Sequence, residues 1–463
     1  METKNKEIVI LGAGPAGLSA AFTLLKQGIK PLIIEKGKLP GGLMRNFLKG
    51  EYQVDIGRKE LYTRLREVND LWNELLGDEY KPYDYHVGML YKGRILERTS
   101  AYKGPLRGMT LGTTLSCALD YVASRISLGS PKNYQDHMYK LRGKKFNQIF
   151  SQGYYERFTG RKWKNMPVPV LQATGRKDIT FVGSVSKFVS DKNDEKSSQE
   201  QWKHPNKGAG QITDRLEEEI LKMGGEIWYN TNVQNVDIAN NQITSIVVEN
   251  ETGKINIIPS NVVSSIPLEF ASQLFFNQTI PSSASKTSLN RGTILVYLFI
   301  NEAPRFAHTW LNVSDPGLKI CRIVNFAKFG GSMVPKGKTC LCVEFFLFSD
   351  DSLFDFEKED LKNLVVKECQ TAKLFNSNLI EDFEVFKFKN ANAAVSWMDY
   401  LNEPYKVELY ERLKSIRNLY NVNRAGTDRA THAGICAARA IINNDKEHFE
   451  KVTDASKKEP WNE

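Results

Sequence analysis

Three glycines and one carboxylate carry the most direct chemical signal in this chain: Gly12, Gly14 and Gly17, followed by Glu35, 23 residues after the first of them. Gly12 lets the backbone turn sharply, Gly14 lets it approach a pyrophosphate, and Gly17 lets a helix lie close against a sheet. A carboxylate at Glu35 can accept both ribose hydroxyls of an adenosine, and its charge argues against a 2′-phosphate. Such chemistry needs particular elements around it. The apolar run Ile8 to Leu11 predicts a strand, Leu18 to Lys26 a helix, and Leu32 to Ile34 a second, parallel strand ending at the acid. The helix N-terminus would then offer free N–H groups and a positive dipole end to phosphate. The expected ligand is an adenine dinucleotide, held by Gly12, Ala13, Gly14, Pro15, Ala16, Gly17, Glu35 and Lys36.

The residues that follow carry a family resemblance. Gly41-Gly42-Leu43-Met44-Arg45 and then Tyr52-Gln53-Val54-Asp55-Ile56-Gly57 resemble the FAD-binding segment of the flavin amine oxidase, protoporphyrinogen oxidase and UDP-galactopyranose mutase group. In that group the paired glycines approach the pyrophosphate and flavin, and the Arg adds charge near the phosphates. Lys207-Gly208-Ala209-Gly210, Gly224-Gly225-Glu226-Ile227 and Asn230-Thr231-Asn232-Val233 are similar to a further family segment, in which the backbone at Val233 would hold the adenine. Val262 to Pro267 resembles its returning strand. Asn423 to Asp428, with Thr431-His432-Ala433-Gly434, resembles the closing FAD motif. The resemblance implies FAD as cofactor, with Gly41, Gly42, Leu43, Arg45, Val233, Gly426, Asp428 and Ala433 added to its ligands. It also implies that Asp428 bonds the ribityl chain and that the last helix favours charge on the reduced ring. Ala307 to Trp310, Asp315-Pro316 and Arg322 to Phe326 resemble a branch found among bacterial cell-surface polysaccharide genes.

Three functions are compatible with that resemblance, because one fold hosts several chemistries. The expected one is an FAD-dependent oxidoreductase that moves a hydride between a small, anionic, amine-type or sugar-type substrate and flavin N5. The alternative is a nucleotide-sugar isomerase similar to UDP-galactopyranose mutase, acting through reduced FAD. A third is a non-catalytic flavin-binding partner in an assembly. Where many relatives read Asp-Ile-Gly-Gly-His, this chain reads Asp55-Ile56-Gly57-Arg58-Lys59. Losing that His weakens the mutase reading, and two cations near a flavin would favour a reduced anionic ring and an anionic substrate. Arg58 and Lys59 are catalytic candidates, as is Lys328, by resemblance to the basic residue that amine oxidases place near flavin N5. Arg157, Arg161 and Arg291 are candidate substrate ligands, since a guanidinium clamps phosphate bidentately.

The remaining composition sets bounds. No Cys-x-x-Cys occurs among the six cysteines, and the six histidines show no i, i+4 pair, so neither a redox disulfide nor a metal is assigned. The net charge of +9 fits an anionic substrate or membrane surface. No basic run interleaved with aromatics supports nucleic acid. The longest apolar stretch, roughly Thr293 to Ile300, is far short of the ~20 residues that span a bilayer. No transmembrane segment is expected, peripheral membrane contact stays open, and the oligomeric state is undetermined. The polar start, Met1 to Glu7, shows no signal peptide and points to the cytoplasm.

The fold expected is α/β: a discontinuous Rossmann-type FAD-binding domain and an α+β substrate domain with an antiparallel sheet and a helical insertion. The nucleotide-binding parts are 1–62, 205–268 and 418–446. A mostly helical insertion covers 63–204, with an exposed loop at Asp191 to Gln201. A sheet with helices covers 269–417, and 447–463 reads as a polar tail.

Overall fold

The computed structural model describes residues 1–59, 61–83, 86–97, 109–127, 129–168, 202–277, 291–389 and 404–454. The expected loop at 191–201 lies outside them. The first strand, Glu2–Leu11, pairs in parallel with Leu32–Ile34 on one side and with Gly253–Ser264 on the other. Its last four residues are buried, and strict alternation sends them to two cores. Ile8 and Ile10 join the helices Pro15–Leu25, Arg66–Leu76, Gly210–Lys222 and Thr427–Asn443. Val9 and Leu11 join the helices Leu268–Phe276 and Pro404–Lys414. A strand buried on both faces needs the continuous apolar run seen there. The full sheet runs Asn232–Ala239, Gln242–Asn250, Gly253–Ser264, Glu2–Leu11, Leu32–Ile34, Glu226–Trp228, and Leu419–Asn421 pairs in parallel with the end of Gly253–Ser264. Three distant parts of the chain therefore build one sheet.

Two helices cross this layer unusually closely. A Cβ on Gly434 would stand 2.1 Å from the Ala16 carbonyl oxygen, and the Ser19 hydroxyl donates to the Thr431 carbonyl at 2.9 Å. Only glycine fits there, so the last helix is fixed against the first by backbone contact.

A second seven-stranded sheet runs Ile380–Phe388, Arg291–Ile300, Thr339–Phe348, Arg322–Asn325, Trp310–Val313, Val87–Tyr91, Arg94–Glu97. Its pairs are antiparallel except that of Trp310–Val313 with Val87–Tyr91. The helix Lys358–Gln370 covers one face through Leu361, Val365 and Cys369. Leu295, Tyr297 and Phe299 on the other face pack against Tyr52, Val54 and Ile56, which joins the two layers.

The structure adds detail to three expectations. The stretch 63–204, read as mostly helical, contributes the hairpin at 87–97 to the second sheet. Its Lys92-Gly93 turn has φ of 49° and 69°, the positive pair that a two-residue hairpin connection demands. The helix Pro404–Lys414, which the assignment of 269–417 grouped with the second sheet, does not cover that sheet. Leu409 and Leu413, one turn apart, meet Leu268, Ala271 and Phe275 on the nucleotide sheet instead.

Of the stretch 447–463, read as a polar tail, the described residues 447–454 are docked on the fold. The helix Lys446–Val452 buries Phe449 and Val452, and the Phe449 ring lies 5.4 Å from that of Tyr420. The Arg424 side chain then donates to the carbonyl and hydroxyl of Thr453. Two apolar residues among lysines and acids were too sparse a signal to read. Phe449→Ala is expected to destabilise the protein by about 3–5 kcal/mol in urea titration, the usual cost of emptying a buried aromatic site. A loss under about 1 kcal/mol would mean this helix is not docked.

Candidate functional site

A cavity of about 1370 Å³ opens over the carboxyl ends of the parallel strands, where open α/β sheets place their ligands. Its floor is the turn from strand to first helix. Gly12 sits at φ 101°, and a Cβ there would lie 2.3 Å from the Ser265 hydroxyl oxygen. A Cβ on Gly17 would lie 1.9 Å from the Gly12 carbonyl oxygen, whereas a Cβ on Gly14 would meet nothing within 4 Å. The outer glycines are thus required by packing, and the middle one faces open space. Pro15 occupies the first helical turn, where its missing N–H costs nothing.

Glu35 also lines the cavity. Its carboxylate accepts from the backbone N–H of Ala13 at 2.8 Å and of Gly37 at 2.7 Å, which fixes its direction and leaves lone pairs facing the cavity. Gly41, at φ 94°, donates to the Ala13 carbonyl at 2.7 Å. This folds the Gly41-Gly42 segment onto the same turn, and a Cβ on Gly42 would be 3.6 Å from the Gly14 Cα. Val233 lies on the wall, as do Lys36, Leu43 and Gly426. Asp428 is there too, in the first turn of the helix Thr427–Asn443. Burial pushes the Asp428 carboxyl up, against the lowering pull of Arg429 and the Thr63 hydroxyl.

Several expected cofactor ligands stand behind the wall. Ala13, Gly17 and Gly41 shape the turn, Ala433 is fully buried in the helix core, and the Arg45 carbonyl accepts from Ile56. Thr213 carries no signal in the sequence, and Ser265 and Gly434 stand there only as parts of longer motifs, with no role of their own. Each is visible only as the neighbour that forbids a side chain at a glycine distant in sequence or, for Gly434, at the glycine itself.

The wall also carries cations. Arg58 and Lys59 both line the cavity. The turn that carries them is clamped from the second sheet: the Tyr297 hydroxyl donates to the Asp55 carbonyl at 2.7 Å and accepts from the Gly57 N–H at 2.6 Å. Burial pushes that hydroxyl's pKa well up, which keeps it a donor. Glu344 accepts from the Arg58 N–H at 2.7 Å and from the Arg322 Nε at 2.6 Å. The Arg58 guanidinium lies over the Trp310 ring at 4.3 Å. Lys59 donates to the Ile56 carbonyl. Burial lowers its pKa, and the nearby Asp55 and Glu344 carboxylates oppose that fall.

The other predicted cations are placed elsewhere. Arg157 donates to the carbonyls of Val313, Asp315 and Leu318, and Arg291 to those of Arg157, Phe158 and Phe346. Neither lies on the cavity wall, and burial lowers the pKa of both, that of Arg291 to about 10. Their guanidiniums are committed to the fold, a correction to their reading as substrate ligands. Arg161 is half-buried beside Gly160, which packs on Arg291. Lys328 is half-buried in the turn Phe326–Lys328, also away from the wall. One grouping of metal-type donors occurs among the described residues, Glu67, His432 and Cys436. There Glu67 already pairs with His432 at 2.6 Å and with Arg439.

The clamp on the cationic turn gives a direct expectation. Tyr297→Phe strands the Asp55 carbonyl and the Gly57 N–H in a dry environment and is expected to cost about 1–3 kcal/mol in thermal or urea unfolding. An unchanged stability would show that water or another group takes the hydroxyl's place.

Comparison with known proteins agrees with this geometry. Residues 10–75 match the NAD(P)-binding Rossmann-like domain family. All-trans-zeta-carotene desaturase from Myxococcus xanthus is 44% identical over 55 residues, 11% of this chain and 10% of that protein. An L-amino-acid oxidase from Crotalus adamanteus is 37% identical over 65 residues, 14% of this chain and 13% of the oxidase. The chain therefore spans only a small part of the length of these curated relatives. Among solved structures, reduced UDP-galactopyranose mutase superposes with a TM-score of 0.76 at 16% identity, over 98% of this chain and 100% of that one. Putrescine oxidase bound to putrescine gives 0.60 at 15% identity, over 95% of this chain and 100% of that one. A protein described as a protoporphyrinogen oxidase from Exiguobacterium gives 0.67 at 14%, over 97% and 100%. The chain thus has an NAD(P)-binding Rossmann-like segment set in the mixed α/β fold shared by UDP-galactopyranose mutase, protoporphyrinogen oxidase and putrescine oxidase.

Proposed function

We propose that this protein is an FAD-dependent oxidoreductase acting on a small, anionic substrate. The observation that carries the reading is the lining of the cavity, which combines the Glu35 carboxylate, the open backbone at Gly14 and the cations of Arg58 and Lys59. The residues fit FAD. Glu35 suits ribose hydroxyls, Gly14 and Gly42 leave room for a pyrophosphate, and Asp428 with the N-terminus of its helix suits the ribityl chain and pyrimidine. Bound FAD would supply the hydride acceptor that no protein side chain offers. The protein's own part is to orient and to hold charge. Arg58, braced by Trp310 and Glu344, presents a fixed positive group to an anionic substrate. Lys59 holds its Nζ proton less tightly than a free lysine, because burial lowers its pKa.

A second reading is a nucleotide-sugar isomerase, the activity named for the mutase among the structural neighbours. Against it, two of the arginines expected to grip phosphates, Arg157 and Arg291, are consumed by backbone carbonyls. The two readings separate cleanly. An oxidoreductase should have its flavin bleached anaerobically by a member of an amine and hydroxylated-sugar panel. Ring interconversion of a UDP-sugar by dithionite-reduced protein, with no net flavin oxidation, would overturn it in favour of the isomerase.

Two further outcomes test the residue roles. Glu35→Ala is expected to weaken FAD binding by about 10-fold, the loss of ribose hydrogen bonds, measured by flavin fluorescence titration. Undiminished affinity would remove Glu35 from the site. Lys59→Met should lower the two-electron potential of the flavin by about 30 mV, one decade in the equilibrium. The cation exists only below its pKa, so the gap between wild type and variant must be open below that pKa and close as pH rises through it. Because burial lowers that pKa, closure should come before the ordinary lysine range. A gap independent of pH would mean the side chain acts by shape alone.

A further inference from the structure

The helix Leu111–Ser127 is amphipathic twice over. Cys117, Tyr121 and Ser124 are buried against the rest of the insertion. On the opposite side Leu111, Leu115, Leu119, Val122 and Ile126 are 54–90% exposed. These five are a third of the fifteen large apolar side chains exposed among the described residues. At about 100° per residue they fall within an arc of roughly 80°, a continuous aliphatic stripe along the whole helix. Ordinary protein surfaces scatter such residues singly, and a contiguous patch marks an interaction surface.

What borders the stripe identifies its partner. Arg125 is exposed on one flank, its guanidinium 5.2 Å from the Tyr121 ring. On the other flank the exposed Lys145 reaches the Ser116 hydroxyl. Lys132 and Lys144 are exposed nearby in sequence. Residues 109–165 hold ten Lys and Arg against three Asp and Glu, so +7 of the chain's net +9 lies in this short segment. We propose that this face docks on an anionic lipid bilayer, the aliphatic stripe entering the acyl boundary and the flanking cations meeting the headgroups. An amphipathic helix with a basic border has the composition of an in-plane interfacial helix. Each Lys or Arg near an anionic surface strengthens the attraction, about fivefold in affinity. A second copy of this chain would have to bring two strongly basic faces together, which charge repulsion opposes. The arrangement leaves the protein peripheral, since no helix among the described residues is long and apolar enough to cross a membrane.

Flotation of the full-length protein with vesicles tests this. Phosphatidylcholine vesicles containing phosphatidylglycerol should carry the protein upward, and pure phosphatidylcholine vesicles should not. Raising salt should weaken the association, as screening requires. Leu115→Glu with Leu119→Glu should lower vesicle affinity about 10-fold or more, while Arg125→Glu with Lys145→Glu should abolish the preference for anionic lipid. All four sites are exposed or at the surface, so circular dichroism melts should match wild type, and a matched melt makes the vesicle result decisive. Absence of flotation, or equal flotation with neutral vesicles, would overturn the proposal. A dimer in analytical ultracentrifugation that the leucine substitutions dissociate without lipid would overturn it too, assigning the face to a second copy.

Discussion

The turn from Asp55 to Lys59 is where the two layers of this protein are tied, and the tie is a buried polar network. The Asp55 carboxylate accepts from the Ala209 N–H at 2.7 Å and meets the His204 Nε2 at 3.2 Å. The other ring nitrogen of His204 faces the Pro205 carbonyl at 3.0 Å. From the opposite side, Tyr297 and Glu344 hold the backbone of Asp55, Gly57 and Arg58. Buried groups of this kind are costly unless every partner is present. The network therefore sets the geometry of the whole molecule: the nucleotide sheet, the segment around 204–209 and the second sheet must all be in place at once. Its consequence is that the backbone carrying Arg58 and Lys59 is held from both layers.

This constraint explains how one cavity combines two chemically distinct groups of residues. The Glu35 group is built by local sequence, since strand, glycine turn, helix and acid all fall within 35 residues of the start. The cationic group is built by long-range contacts, with partners near 297, 310 and 344. A dinucleotide bridging the two would span both layers. Recognition and reactivity are then separable, because a change at Glu35 leaves the clamp intact and a change at Tyr297 leaves the glycine turn intact.

The glycine turn was legible in sequence because its physics is local, with fixed spacings between strand, turn, helix and acid. The layered α/β class was legible for the same reason. Other features were hidden for identifiable causes. Arg157 and Arg291 looked like phosphate ligands because nothing in sequence announces that their partners are backbone carbonyls. The hairpin at 87–97 was missed although its Lys92-Gly93 turn and flanking apolar residues were present, since a five-residue strand next to helices carries little periodicity. The clamp by Tyr297 and Glu344 could not be read at all: both sit in ordinary strands, and only the register of the second sheet aims them at the turn.

The most direct test of the account is to identify and count the chromophore carried by the purified protein. The protein is denatured, the supernatant separated by liquid chromatography, and FAD, FMN and nicotinamide dinucleotides are quantified against protein. The account predicts FAD at close to one per chain, either as purified or after reconstitution. A protein that takes up no FAD, or that binds a nicotinamide dinucleotide in its place, would contradict it.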